Sequence, residues 1–326
     1  MSVEISMRIA ILDDYQRVAL QYARWDMLGR DCDIQVFDRN LSSIDEAANA
    51  LADFDVLCLM RERMPLPREL IERLPRLKLV IVTGARTRTI DLEAAASHGV
   101  TVCHTHPGES QYATPELAWG LILSCARSIP EEHRHVREGR WQETIGLSLG
   151  GKTLGLLGLG KLGSHMVPIA RAFGMDVVAW SQNLTEERAA SLQARRVDKD
   201  ELFRLSDVVS IHLILGERTR RLVGAHEFGL MKPSAILVNT SRGPIVDEAA
   251  MIQALQTRKI RAAGLDVFDQ EPLPPDHPLR TIPNAVLTPH LGYVTEGAYR
   301  AFFEDTVEGI AAWRAGNPVR VLAAPV

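Results

Sequence analysis

Three polar residues, far apart in the chain, follow short apolar runs that read as strands: Arg242 in ILVNTSRGPIVDE, Glu271 in AAGLDVFDQEP and His290 in AVLTPH. Arginine presents a planar fork that matches a carboxylate bidentately. Histidine exchanges a proton near neutrality. A carboxylate beside it favours the charged ring. The trio can therefore hold an acid, protonate an oxygen and keep the proton donor charged. Taken singly, each has an ordinary structural reading: a surface charge, a turn cap, a packed histidine.

A second constellation is LGLLGLGKLG, Leu154 to Gly163, in which an apolar strand runs into Gly158-x-Gly160-x-x-Gly163 and then a helix, Ser164 to Phe173. This strand–turn–helix context is what the dinucleotide fingerprint requires. Gly158 allows a tight turn, Gly160 lets backbone approach a pyrophosphate, and Gly163 lets helix pack on strand. The turn residues Lys161 and Leu162 then offer N–H groups to the phosphates at the positive end of the helix. An acid for the adenosine ribose should follow the next strand. That strand, Asp176 to Trp180, ends instead in Ser181-Gln182-Asn183, with no carboxylate and no adjacent arginine. Cofactor choice between NAD and NADP stays open.

These motifs need a scaffold. Met7 to Leu12, Asp33 to Phe37, Phe54 to Met60, Leu77 to Val82 and Val100 to Cys103 read as strands, with helical stretches at Ile44 to Ala52, Pro67 to Arg73 and Asp91 to Ser97. Short apolar strands alternating with helices mean βαβ units and a parallel sheet. From Thr114 the pattern changes. Pro115 opens a helix, Leu117 to Arg127, and a polar segment, Pro130 to Gly146, follows. A second series then places strands at Thr153 to Leu157, Asp176 to Trp180, Val208 to Leu213, Ala235 to Asn239, Ala262 to Val267 and Ala285 to Thr288, before a helical tail, Thr295 to Ala315. The fold class is α/β, with two doubly wound parallel-sheet domains.

The 326 residues exceed one ordinary core. A net charge of -4 carries no basic surplus, which argues against nucleic acid or an anionic membrane as partner. Cys32, Cys58, Cys103 and Cys125 form no CxxC pair and read as reduced thiols. The N-terminus MSVEISMRIAILDD shows no secretory pattern, and no apolar run approaches the ~20 residues needed to span a bilayer. The expected location is the cytoplasm.

Together, GKTLGLLGLGKLG, MKPSAILVNTSRGPIVDEAAMIQAL, AAGLDVFDQEPLPPDHPL and NAVLTPHLGY resemble the D-isomer-specific 2-hydroxyacid dehydrogenase family, in particular its glyoxylate and hydroxypyruvate reductase branch. The resemblance spans nearly the whole chain. It implies hydride transfer between NAD(P)H and a small 2-keto or 2-hydroxy acid, with Arg242, Glu271 and His290 as the catalytic trio. It places Asp266 on the nicotinamide carboxamide and Ser181 and Thr240 among the cofactor contacts. It further implies a Rossmann-type cofactor domain, 105–292, inserted into a flavodoxin-like substrate domain formed by 1–104 and 293–326.

The chain also departs from the family pattern. The first-domain loop reads TGARTRTID, which puts Arg86, Thr87 and Arg88 where a substrate carboxylate meets backbone N–H groups. These arginines either serve a larger or more acidic substrate or form a solvated loop face. Ile214 stands where the family has a proline. Trp141 lies in the polar arm; an exposed tryptophan is costly unless another surface covers it, and the resemblance suggests that this arm embraces a second subunit, near whose substrate pocket Trp141 would lie. No catalytic metal is expected, because the pairs His104-x-His106 and His133-x-His135 do not share a helix face. Two other readings compete: a formate- or phosphite-type dehydrogenase, the former disfavoured by Glu271 where glutamine is usual, and a nicotinamide-sensing binding protein related to co-repressors.

Overall fold

The computed structural model describes residues 7–84 and 88–322, with backbone alone at Ser110. Arg86 and Thr87 lie outside the described residues. The chain forms two compact units, one from Met1–Glu109 with Thr295–Val326, the other from Ser110–Val294.

In the first unit, strands β1 (Met7–Ile11), β2 (Cys32–Val36), β3 (Val56–Leu59), β4 (Leu79–Val82) and β5 (Thr101–His104) form a parallel sheet of order β2-β1-β3-β4-β5. This is the flavodoxin-like order. β3 and β4 are buried along their whole length, as strands covered on both faces must be. Leu57, Leu59, Val80 and Val82 pack with Leu51 and Leu70, from helices α1 (Ile44–Leu51) and α2 (Arg68–Ile71). A third helix, α3 (Leu92–Ser97), precedes β5 and is capped by the Asp91 carboxylate, which accepts from the Ala94 N–H.

The second unit opens with helices α4 (Ser110–Arg127) and α5 (Ile129–Arg137). It continues through β6 (Thr153–Leu157), α6 (Lys161–Ala172), β7 (Asp176–Trp180), α7 (Glu186–Ser191), β8 (Arg195–Arg196), α8 (Lys199–Leu205) and β9 (Val208–Ile211). It closes with α9 (Ala225–Leu230), β10 (Ile236–Asn239), α10 (Glu248–Gln256), β11 (Ala262–Leu265) and β12 (Ala285–Leu287). The sheet order is β12-β11-β10-β9-β6-β7-β8, the dinucleotide-binding order with one strand added. Successive residues alternate between two cores, one on each face: Val208, Ile236 and Val238 join one, Val209, Leu237 and Ala263 the other.

Helix α11 (Glu296–Arg314) belongs to the first unit. It lies so close to β4 that a Cβ on Gly309 would stand 2.9 Å from Ile81 Cδ1. Beyond it the chain returns to β5, where His104 donates its N–H to the Arg320 carbonyl.

Two local expectations need correction. α4 starts at Ser110, so Pro115 lies inside the helix rather than in its first turn. The polar segment after it is partly helical, as α5. The short edge strand β8 had no apolar signal, being Arg195-Arg196. Among the described residues, no helix is long and apolar enough to cross a membrane.

Candidate active site

The glycine loop sits where the sheet order reverses, between β6 and β9. Gly158 adopts φ +105, and a Cβ there would meet the His212 carbonyl oxygen at 2.7 Å. Only glycine tolerates both the angle and the contact. At Gly163 a Cβ would lie 2.1 Å from the Gly158 oxygen, so its absence is what seats α6 on the turn. Gly160 faces open space and is the N-cap of α6, without any side-chain cap. The first-turn N–H groups of Lys161, Leu162 and Gly163 thus have no intrahelical acceptor. A pyrophosphate fits such a cradle: backbone donors, helix dipole and free space coincide. Ser181, half-buried, begins the turn after β7, while Thr240, after β10, is buried with its hydroxyl unpartnered.

Arg242, Glu271 and His290 follow three adjacent strands, β10, β11 and β12. Nδ1 of His290 lies 2.6 Å from Oε2 of Glu271, and the other carboxylate oxygen accepts the Phe268 N–H at 3.0 Å. Nδ1 is engaged and Nε2 is directed elsewhere, the arrangement by which one ring nitrogen is oriented through the other. Burial alone would raise the Glu271 carboxyl. The His290 hydrogen bond and charge, the Phe268 N–H and the Arg242 charge outweigh it and hold the group below its ordinary value.

The turn carrying Arg242 is built by polar residues that the motif reading did not single out. Asn239 accepts the Ser241 N–H and donates to the Arg242 carbonyl, and the Ser241 hydroxyl donates to the Ile211 carbonyl. Gly243 then packs against the backbone of Phe268. Asparagine and serine directly after a strand, followed by Gly-Pro, were the available signal.

Asp266, fully buried after β11, accepts from the Thr288 hydroxyl at 2.6 Å and from the N–H groups of Leu291 and Gly292 at 2.7 and 2.9 Å. Trp141 is 75% exposed and lies apart from this cluster in sequence, on the arm after α5. Among the described residues, Asp200, His226 and Glu227 form a single group with metal-ligand spacing, and Lys199 Nζ already stands 2.7 Å from Glu227.

Residues 119–292 match the family model described as D-isomer specific 2-hydroxyacid dehydrogenase, NAD binding domain. The chain is 37% identical to the glyoxylate reductase of Aeropyrum pernix over 90% of each chain. It is 39% identical to the D-3-phosphoglycerate dehydrogenase of Methanocaldococcus jannaschii over 79% of its own length, and that match spans about half (49%) of the relative. Among solved structures, a phosphoglycerate oxidoreductase from Vibrio cholerae superposes with a TM-score of 0.89 at 35% identity, covering 95% of this chain and 99% of that one. The inserted strand–helix series, its glycine cradle and these likenesses lead to one conclusion: the chain belongs to the D-isomer-specific 2-hydroxyacid dehydrogenase family of nicotinamide-dependent oxidoreductases.

Proposed function

We propose that the protein reduces a small 2-keto acid, with His290 as proton donor, Glu271 holding it as imidazolium, and Arg242 gripping the carboxylate. The observation that carries this reading is the His290–Glu271 contact of 2.6 Å, set one strand away from Arg242. The nicotinamide dinucleotide, NADH or NADPH, supplies the hydride when bound. The chain's own residues do the rest. The guanidinium fork orients the acid. The Glu271 carboxylate fixes Nδ1–H, so that Nε2–H is the proton that reaches the developing alkoxide. Gly158, Gly160, Lys161, Leu162 and Gly163 hold the pyrophosphate, with Ser181, Thr240 and Asp266 along the rest of the cofactor. Arg86 and Thr87 are proposed substrate contacts on the sequence argument alone.

The protein is proposed to act as a homodimer in the cytoplasm. Ile129, Val136, Trp141 and Ile145 present exposed apolar surface along one segment, Trp141 at 75% and Ile145 at 90%, a pattern that calls for a covering surface. Four free cysteines suit a reducing compartment. The deciding experiment is a panel of 2-keto acids tested with NADH and with NADPH. Turnover of at least one acid supports the reading. Tight cofactor binding without turnover of any acid replaces it with a sensing module.

A further inference from the structure

His290 adopts a left-handed backbone conformation, φ +55, that β-carbon-bearing residues rarely take. Such a conformation persists only where its surroundings over-determine it. Two residues downstream, Gly292 is buried and held from both sides. Its N–H donates to Asp266 Oδ2 at 2.9 Å, and its carbonyl accepts the Thr114 hydroxyl at 2.7 Å. A Cβ on Gly292 would stand 3.3 Å from Asp266 Oδ2 and 3.4 Å from both Cγ2 and Oγ1 of Thr114, so the fit leaves no spare room. Asp266 Oδ1 accepts in addition from Thr288 and Leu291, the residues that bracket Pro289-His290. Thr114 belongs to the first turns of α4, remote in sequence from all of these.

We infer that Thr114 is a positioning residue for His290, closing with Asp266 a two-sided latch on Gly292 that fixes the turn presenting the imidazole. The inference rests on the reading of His290 as proton donor. The latch explains why a buried threonine hydroxyl in the first turns of α4 bonds to a carbonyl across the unit. Removing one side leaves the Gly292 carbonyl without its partner and frees the left-handed turn to relax. Reacting groups displaced by about 1 Å lose up to about 100-fold in rate.

The test is Thr114→Val, which keeps the shape and removes the donor. The expected result is a kcat lowered about tenfold, well within that limit, with the dissociation constant for NADH, read by fluorescence, unchanged. The His290 ring resonances in the NMR spectrum should shift or broaden, and Thr114→Ser should restore both. Should the valine variant fail to fold, Gly292→Ala carries the kcat and resonance readouts, because its Cβ presses on both sides of the latch. Unchanged kcat and unchanged His290 resonances in either variant overturn the inference. A His290→Asn variant that keeps its kcat would instead overturn the proposed function, and the resonance readout in Thr114→Val would still decide the latch.

Discussion

A Cβ on Gly243 would stand 2.1 Å from the Phe268 carbonyl carbon, so the turn bearing Arg242 and the turn bearing Glu271 are in backbone contact. The Phe268 N–H in that same turn donates to Glu271. The distance between the proposed carboxylate clamp and the proposed proton-donor pair is thereby fixed by main chain, not by flexible side chains. Gly243→Ala should push the turns apart, lowering kcat by about 10- to 100-fold and stability by about 1–3 kcal/mol. Steady-state kinetics and urea unfolding check both. An alanine variant of wild-type rate would show that the contact does not set the geometry.

For the proton donor, His290→Asn should lower kcat for keto-acid reduction by about 10²–10⁴-fold. Glu271→Gln tests the other half of the pair. The folded carboxyl lies below its ordinary value, so its stabilising contact is fully present above the ordinary carboxylate range and fades as pH falls through the folded value. With glutamine that charge is gone and the imidazolium is less favoured. Reduction should then fall away at lower pH than in the parent. A pH–rate profile that does not move would remove Glu271 from its proposed role.

Burial holds His212 neutral, its pKa pushed down from 6.5 to about 4. One ring nitrogen contacts the Ser210 hydroxyl and the other is buried without a partner. Between these pH values the unfolded ring binds a proton that the folded ring refuses, so stability declines as pH falls through the window. The loss should reach about 3 kcal/mol. His212→Asn should flatten the acid side of a stability–pH curve measured by denaturant unfolding. An identical curve in the variant would place the acid sensitivity elsewhere.

The exposed arm makes a prediction about assembly. Light scattering at micromolar concentration should give a dimeric mass, and Trp141→Ala should raise KM for the keto acid while leaving NADH affinity intact. A monomeric mass rejects the dimer. An unaltered KM in a dimeric variant separates Trp141 from the substrate pocket.

What the sequence disclosed follows from how locally each feature is encoded. Gly158, Gly160 and Gly163 are legible because strand, turn and helix lie within one short stretch, and the buried strands β9, β10 and β11 are legible as apolar runs. Arg242, Glu271 and His290 could be named from their motifs, yet nothing local reports that His290 and Glu271 meet. That contact depends on the adjacency of β11 and β12. The Thr114–Gly292 bond joins residues 178 positions apart and leaves no local trace. β8 escaped notice because an edge strand of two arginines carries no apolar signal. α5 escaped because six of its nine residues are charged or histidine, which leaves too few apolar positions for the periodicity by which helices are read.

The position of α11 has a consequence for the order of events on the ribosome. The first unit's sheet is synthesised early, but the helix that covers the Ile81 side arrives only after Ser110–Val294 has been made. At about 5–20 residues per second, that sheet face waits roughly 10–40 s for its cover. The continuous second unit can fold during the delay; the first cannot finish. A nascent chain arrested before Thr295 should therefore bind a hydrophobic dye or a trigger-type chaperone, and one arrested well beyond Arg314 should not. Equal binding by both would mean that the uncovered face is protected some other way.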